Sequence, residues 1–184
     1  MADDPHCKIL DSLAARGRLR ALAPRAGADF TSNDYLGLAQ SPFLRAAARE
    51  ALERGVPLGA GGSRLLRGNH PEHEALEEEA AAFFGSEVAL YFPTGFAANA
   101  AIVATLPRGD DLIVHDALIH ASLRAGLDPA RIPVREVPHN DVAAMDDAIR
   151  DWRGQRGRGR VWIAVETLYS MDGDRAPLGD LVAL

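Results

Sequence analysis

With 184 residues, 47% hydrophobic and 25% charged, the chain has the composition of a soluble globular protein of one to one and a half domains. A formal charge of −6 argues against nucleic acid as a partner, and the single cysteine, Cys7, excludes an internal disulfide and a cysteine-based metal cluster. No apolar run approaches the roughly 18 residues that cross a bilayer, so no membrane partner is expected. The first residues lack the cationic and apolar plan of a signal peptide, and the expected compartment is a reducing cytoplasm.

Residues 6–22 carry helical spacing, with Ile9, Leu10, Leu13 and Leu22 apolar. Phe30-Thr31-Ser32 reads as a short extended piece. Ser41 and Pro42 predict a helix start, with Ser41 as N-cap, running to about Arg54 and stopping at Gly55. Residues 59–69 form a glycine-rich loop. A second helix is expected over 71–84, opened by Pro71 and followed by Gly85. Short apolar runs then alternate with helices: strands at 88–92, 111–115, 133–137 and 161–166, helices at 96–106, 117–126 and 141–152. Such alternation predicts right-handed βαβ units, hence an α/β fold with a mainly parallel sheet and helices on both faces. Arg153, Arg156, Arg158 and Arg160 alternate with glycines and no aromatic residue, which reads as a solvated link rather than a nucleic-acid arm. Residues 177–184 look like the first turns of a helix with no cap after them. The expectation is therefore an amino-terminal part of something longer, its sheet edge uncovered beyond 161–166.

Chemistry is concentrated at strand ends. The apolar run 88–92 passes through Pro93-Thr94-Gly95 directly into a helix, so free N–H groups and the positive helix end converge near Thr94, Gly95 and Phe96. That arrangement suits a phosphate, and it also suits an ordinary strand-to-helix corner. The loop Gly59-Ala60-Gly61-Gly62-Ser63-Arg64 is neither a Walker A sequence nor a dinucleotide fingerprint, and no nucleophile elbow occurs. His70, His73 and Glu74 offer a metal-binding alternative, although not in a zinc-protease order. His120 follows a strand, where a parallel sheet presents its ligands, and could stack on a flat heteroaromatic ring or simply be a capping or packing histidine. Ser170 follows another strand, with Asp172 and Asp174 close by, and reads equally as part of a polar turn.

Taken together, Ser32-Asn33-Asp34-Tyr35-Leu36-Gly37-Leu38, the Gly59–Arg64 loop, Thr94-Gly95-Phe96-Ala97-Ala98-Asn99, His120-Ala121-Ser122 and Ser170-Met171-Asp172-Gly173-Asp174 resemble the α-oxoamine synthases. These are pyridoxal-phosphate enzymes of the aspartate-aminotransferase-like fold type I class. The resemblance implies an amino-terminal helix and arm over 1–40 and the first part of the large cofactor-binding domain over 41–184. By the same resemblance, Gly95 and Phe96 would bind the cofactor phosphate, His120 would stack on its ring, and Ser170 would hydrogen-bond its ring oxygen. Asn33 and Arg20 would serve substrate, and Glu166 would support the site from behind.

Within the family, Thr94–Asn99 and Gly59–Arg64 look most like the branch that condenses L-alanine with a pimeloyl thioester, with loss of carbon dioxide, in biotin biosynthesis. The alternative readings are a relative of glycine C-acetyltransferase or of 5-aminolevulinate synthase. The implied cofactor is pyridoxal 5′-phosphate and the implied assembly a homodimer, with no metal. The Schiff-base lysine of the family has no counterpart here: of 20 basic residues 19 are arginine, and the one lysine is Lys8, on the wrong element. The expectation is a chain inactive on its own, either a piece of such an enzyme or a non-catalytic partner of a complete homologue.

Overall fold

The computed structural model describes residues 4–24 and 26–184, and the chain divides into two compact units, residues 1–68 and 69–184. The boundary expected at 40/41 falls inside the first unit, because α2 (Pro42–Glu53) follows the 3-10 turn Leu38–Gln40 directly and packs against it.

In the first unit, α1 (Pro5–Ala15) opens on Asp4, whose carboxylate accepts from His6 N at 2.9 Å. It ends well short of Leu22, since Gly17 takes a left-handed φ of +63° and breaks the helical path. Residues 30–32 form no strand. Thr31 N and Ser32 N both donate to the Asp29 carboxylate at 3.0 Å, which bends the backbone out of the extended state. Pro42 begins α2 as expected, but the Ser41 hydroxyl makes no cap bond, and Gly55 closes the helix at φ +81°. Gly68 ends a wide π turn, where a Cβ would lie 2.0 Å from Gly62 O. It is also the one buried residue among those described in this unit, so the elements there rest on local caps and turns.

The second unit holds the sheet. Strands β1 (Leu112–Asp116), β2 (Val134–Val137) and β3 (Val161–Ala164) are parallel in the order β2-β1-β3, with Ile113 opposite Val134 and Val114 opposite Ile163. Every residue of central β1 is buried, the apolar Leu112, Ile113 and Val114 as well as His115 and Asp116. Side chains alternate across its pleat. Leu112 and Val114 pack with Met145 and Trp152 of α6 (Val142–Gly154) and Leu181 of α7 (Leu178–Val182). Ile113 faces the other way, toward Val103 and Ala130, which belong to α4 (Gly95–Thr105) and α5 (Ala121–Ala130). Helices therefore cover both faces, as the alternation predicted. Beside them α3 (Pro71–Phe84) keeps its expected bounds, ending on Gly85 at φ +65°.

Two sequence expectations fail here. Residues 88–92 form no strand: no neighbour pairs with them among the described residues, and Val88, Leu90 and Tyr91 are exposed. A strand exists only through ladder hydrogen bonds, and Tyr91 N instead donates to Glu77 Oε1 at 2.8 Å. The helix expected over 117–126 starts four residues later. Asp116 Oδ1 takes Leu118 N at 2.7 Å and holds the chain in a turn until His120.

The arginine/glycine link is an ordered loop. Arg153 Nη1 donates to Gly157 O and Gly159 O at 3.1 and 2.8 Å, and its guanidinium stacks on Trp152 at 4.6 Å. No helix of the described residues is long and apolar enough to cross a membrane.

Helices α4 and α5 approach closely because Gly126 has no side chain: a Cβ would stand 2.6 Å from Ala100 O and 3.1 Å from Val103 Cβ. A backbone carbonyl inside a helix cannot step aside. Gly126→Ala is expected to cost about 1–3 kcal/mol by overpacking, read by urea denaturation. A loss below about 0.5 kcal/mol would show that the helices separate freely.

Candidate active site

All the polar groups of interest in the second unit lie beyond the carboxyl ends of its strands or at helix N-termini. Thr94 is the N-cap of α4, its hydroxyl accepting from Ala97 N at 3.0 Å. Gly95 and Phe96 are the first two helical residues, and their amides donate to no acceptor within the described residues. A Cβ built on Gly95 meets nothing within 4 Å, so an anion can reach these amides without obstruction. A cleft of ≈ 420 Å³ opens beside them, walled by Leu76, Phe84, Leu90 and Phe92.

His120 is the N-cap of α5. Ser122 N donates to its Nδ1 at 3.2 Å, so Nδ1 is the lone-pair nitrogen and the ring proton sits on Nε2. The buried Ser122 hydroxyl lies 2.7 Å from the same Nδ1 and accepts from Asn99 Nδ2 at 3.0 Å. Asn99 is on α4, so this chain of bonds ties the helix that opens at Gly95 to the turn that carries His120. From the segment after β3, Glu166 Oε1 accepts the His120 backbone N–H. Capping is the role seen for this histidine: Nδ1 caps α5, and the residue is otherwise exposed.

Ser170 sits, exposed, in a tight turn after β3, closed by Tyr169 N to Asp174 O and Gly173 N to Tyr169 O, both 2.9 Å. The structure therefore brings Gly95, Phe96, His120, Glu166 and Ser170 into one unit. Arg20 and Asn33, both exposed, belong to the first unit. His70 and His73 are spent on capping α3: His70 Nδ1 accepts from Glu72 N at 3.3 Å and His73 Nδ1 from His70 N at 3.2 Å. No group of metal ligands occurs among the described residues.

Sequence reasoning missed a second polar cluster. Asp116 is fully buried at the end of β1 and accepts from Leu118 N, from Asn140 N at 2.7 Å and from His139 Nδ1 at 2.9 Å. His139 Nε2 lies 2.9 Å from Asp174 Oδ2, and Asn140 Nδ2 reaches that oxygen at 2.8 Å. The Tyr169 ring meets the imidazole edge-on at 4.5 Å. Burial works to raise the Asp116 carboxyl, but the bonds from Asn140, His139 and Leu118 outweigh it and hold the group below its ordinary range. His139 is raised, through its bonds to Asp116 first and Asp174 second. Burial, helped by the Asp116 charge, pushes Tyr169 up to about 12. The one signal in the sequence was His139-Asn140-Asp141 directly after a strand.

A family model described as Aminotransferase class I and II matches residues 26–184. The chain belongs to that family. Among curated proteins, this class I and II chain is 42% identical over 188 residues to the 8-amino-7-oxononanoate synthase of Citrifermentans bemidjiense, covering 95% of the chain and 47% of the relative. It is 43% identical over 185 residues to that of Methylorubrum extorquens strain PA1, covering 95% and 48%. The chain thus spans about half the length of the curated relatives it matches.

Among solved structures it aligns with serine palmitoyltransferase from S. paucimobilis with bound PLP–myriocin, at TM-score 0.79 and 28% identity, over 98% of this chain and 48% of the other. It also aligns with 8-amino-7-oxononanoate synthase from Francisella tularensis, at TM-score 0.67 and 28% identity, over 84% and 41%. The fold is that of the fold type I enzymes, and the three parallel strands described above are part of its sheet.

Proposed function

We propose that this chain forms the phosphate-holding and ring-facing side of a pyridoxal-phosphate enzyme of the 8-amino-7-oxononanoate synthase type, condensing L-alanine with a pimeloyl thioester. The observation that carries the reading is the linked pair of anion cup and histidine: free amides at Gly95 and Phe96, joined through Asn99 and Ser122 to the oriented His120. Similarity to 8-amino-7-oxononanoate synthases supports the choice of amino acid and acyl group.

The residues present suit the phosphate and the ring of such a cofactor. Gly95 and Phe96 donate their amides to the phosphate, where the positive end of α4 adds attraction. His120 would stack on the ring, with the Nε2–H left free to meet substrate. Ser170 donates its hydroxyl to the ring oxygen, and Glu166 keeps the His120 backbone in place. The roles kept for Asn33 and Arg20 are the substrate carboxylate and acyl chain, in an enzyme that would be homodimeric and cytoplasmic. When bound, pyridoxal phosphate supplies an electron sink for the carbanion at the amino acid's α-carbon.

Covalent attachment and the proton transfers of turnover need a lysine amine, and the second unit has none. The 184-residue polypeptide alone is therefore expected to bind pyridoxal phosphate reversibly, to be competed by inorganic phosphate, and to show no turnover. Gly95→Asp sets a carboxylate in the cup and should weaken binding about tenfold, equal to about 1.4 kcal/mol, by equilibrium dialysis. Borohydride treatment followed by peptide mass spectrometry should leave residues 69–184 unmodified, the exposed Lys8 and the terminal amine being the only amines open to reduction. A stable mass addition within 69–184 would overturn the lysine argument, and binding indifferent to Gly95→Asp would remove the cup.

A further inference from the structure

The half-buried cluster around His139 has no part in the reading above, yet it touches both loops that matter to it. Asp116 ends β1 and starts the turn that leads to His120. Asp174 closes the turn that carries Ser170, its carbonyl taking Tyr169 N. Between the two stands one imidazole, with Nδ1 on Asp116 and Nε2 on Asp174, both at 2.9 Å. Asn140 Nδ2 also lies 3.2 Å from Nε2, but its two protons go to Asp174 Oδ2 at 2.8 Å and Arg175 O at 3.3 Å. Two carboxylates that only accept then leave the ring to donate from both nitrogens, as imidazolium.

We infer that His139 is a positioning residue: its imidazolium fastens the 116–120 turn to the 169–174 turn, so that one cation sets the spacing of His120 and Ser170. The consequence for the cofactor rests on the proposed function; the clamp itself does not. Asn140 reinforces it, with its backbone N–H on Asp116 and its side-chain amide on Asp174 and on Arg175 O.

Among the described residues, His139 is the cation paired with Asp116 and with Asp174. Facing the imidazole are Asp116 from β1, Asp174 from the turn, the edge-on Tyr169 ring, and Asn140. The neighbouring Asp141 carboxylate is spent on Ala144 N at the start of α6, and Glu166 on His120 N. Deprotonation leaves one ring nitrogen as an acceptor facing a carboxylate, and one side of the clamp must open.

The test uses the full 184-residue chain labelled with nitrogen-15. Near pH 6 the His139 ring is expected to show two protonated nitrogens and to titrate later than a free histidine. Amide exchange in 117–120 and 169–174, corrected for intrinsic base catalysis, should rise together about tenfold with the midpoint of that titration. Asp174→Asn should loosen 169–174 at every pH while 117–120 still follows the His139 titration. His139→Gln should abolish the shared step.

A singly protonated or ordinarily titrating His139, or separate midpoints for the two turns, overturns the clamp, as does an unfolded chain, whose His139 would titrate freely. Coupled exchange in a chain that fails to bind pyridoxal phosphate would sink the proposed function and leave the clamp standing. Binding retained with no coupling would do the reverse.

Discussion

Asp116→Ala should remove about 3–5 kcal/mol from the stability of the 69–184 unit, measured by urea denaturation near pH 6. The carboxylate is fully buried, and its removal strands three donors at once: Leu118 N, Asn140 N and His139 Nδ1. Each loses its partner in a place water does not freely reach, so the full desolvation cost appears. Asp172→Ala, at an exposed turn position, is the control and should change stability by less than about 0.5 kcal/mol.

The loss should also depend on pH. His139 is raised in the folded state, so its contribution is complete below the unfolded value of 6.5 and is lost as pH climbs through the folded value. Asp116 is lowered, so its contribution is complete above the unfolded value of 3.8 and is lost as pH falls through the folded value. The two together give most between pH 3.8 and 6.5, and the cost of Asp116→Ala should shrink in alkaline buffer. A cost that is flat with pH would remove the ion pair from the account.

Leu112→Ala is the second large effect, at about 2–5 kcal/mol. Leu112 opens the central strand, is wholly excluded from solvent, and packs among Met145, Trp152 and Leu181. The sheet has helices on both faces, so nothing can collapse into the hole without moving α6. Leu58→Ala, where the side chain is 91% exposed, should change stability by less than about 0.5 kcal/mol. Equal losses at the two positions would mean that the packed core of the second unit does not form.

Period and punctuation determined a large part of this protein. Pro71 and Gly85 bounded α3, the apolar runs of β1, β2 and β3 marked three parallel strands, and their alternation with helices placed layers on both faces. These follow from local rules that need no partner: a proline suits the first turn of a helix, and a glycine tolerates the left-handed backbone past its end. Thr94-Gly95-Phe96 and His120 were legible for the same reason, because caps and helix N-termini are local.

Tertiary structure alone decided the rest. Residues 88–92 have every intrinsic mark of a strand and form none, because a strand is a pairing and not a property of five residues. The 117–126 helix shifted because a buried carboxylate, Asp116, outbid the helix for the Leu118 amide. Above all, Asp116, His139 and Asp174 lie far apart in sequence and meet only because three consecutive parallel strands end side by side. No spacing rule announces such a meeting, since the distance between strand ends is set by the lengths of the intervening helices and by the order β2-β1-β3.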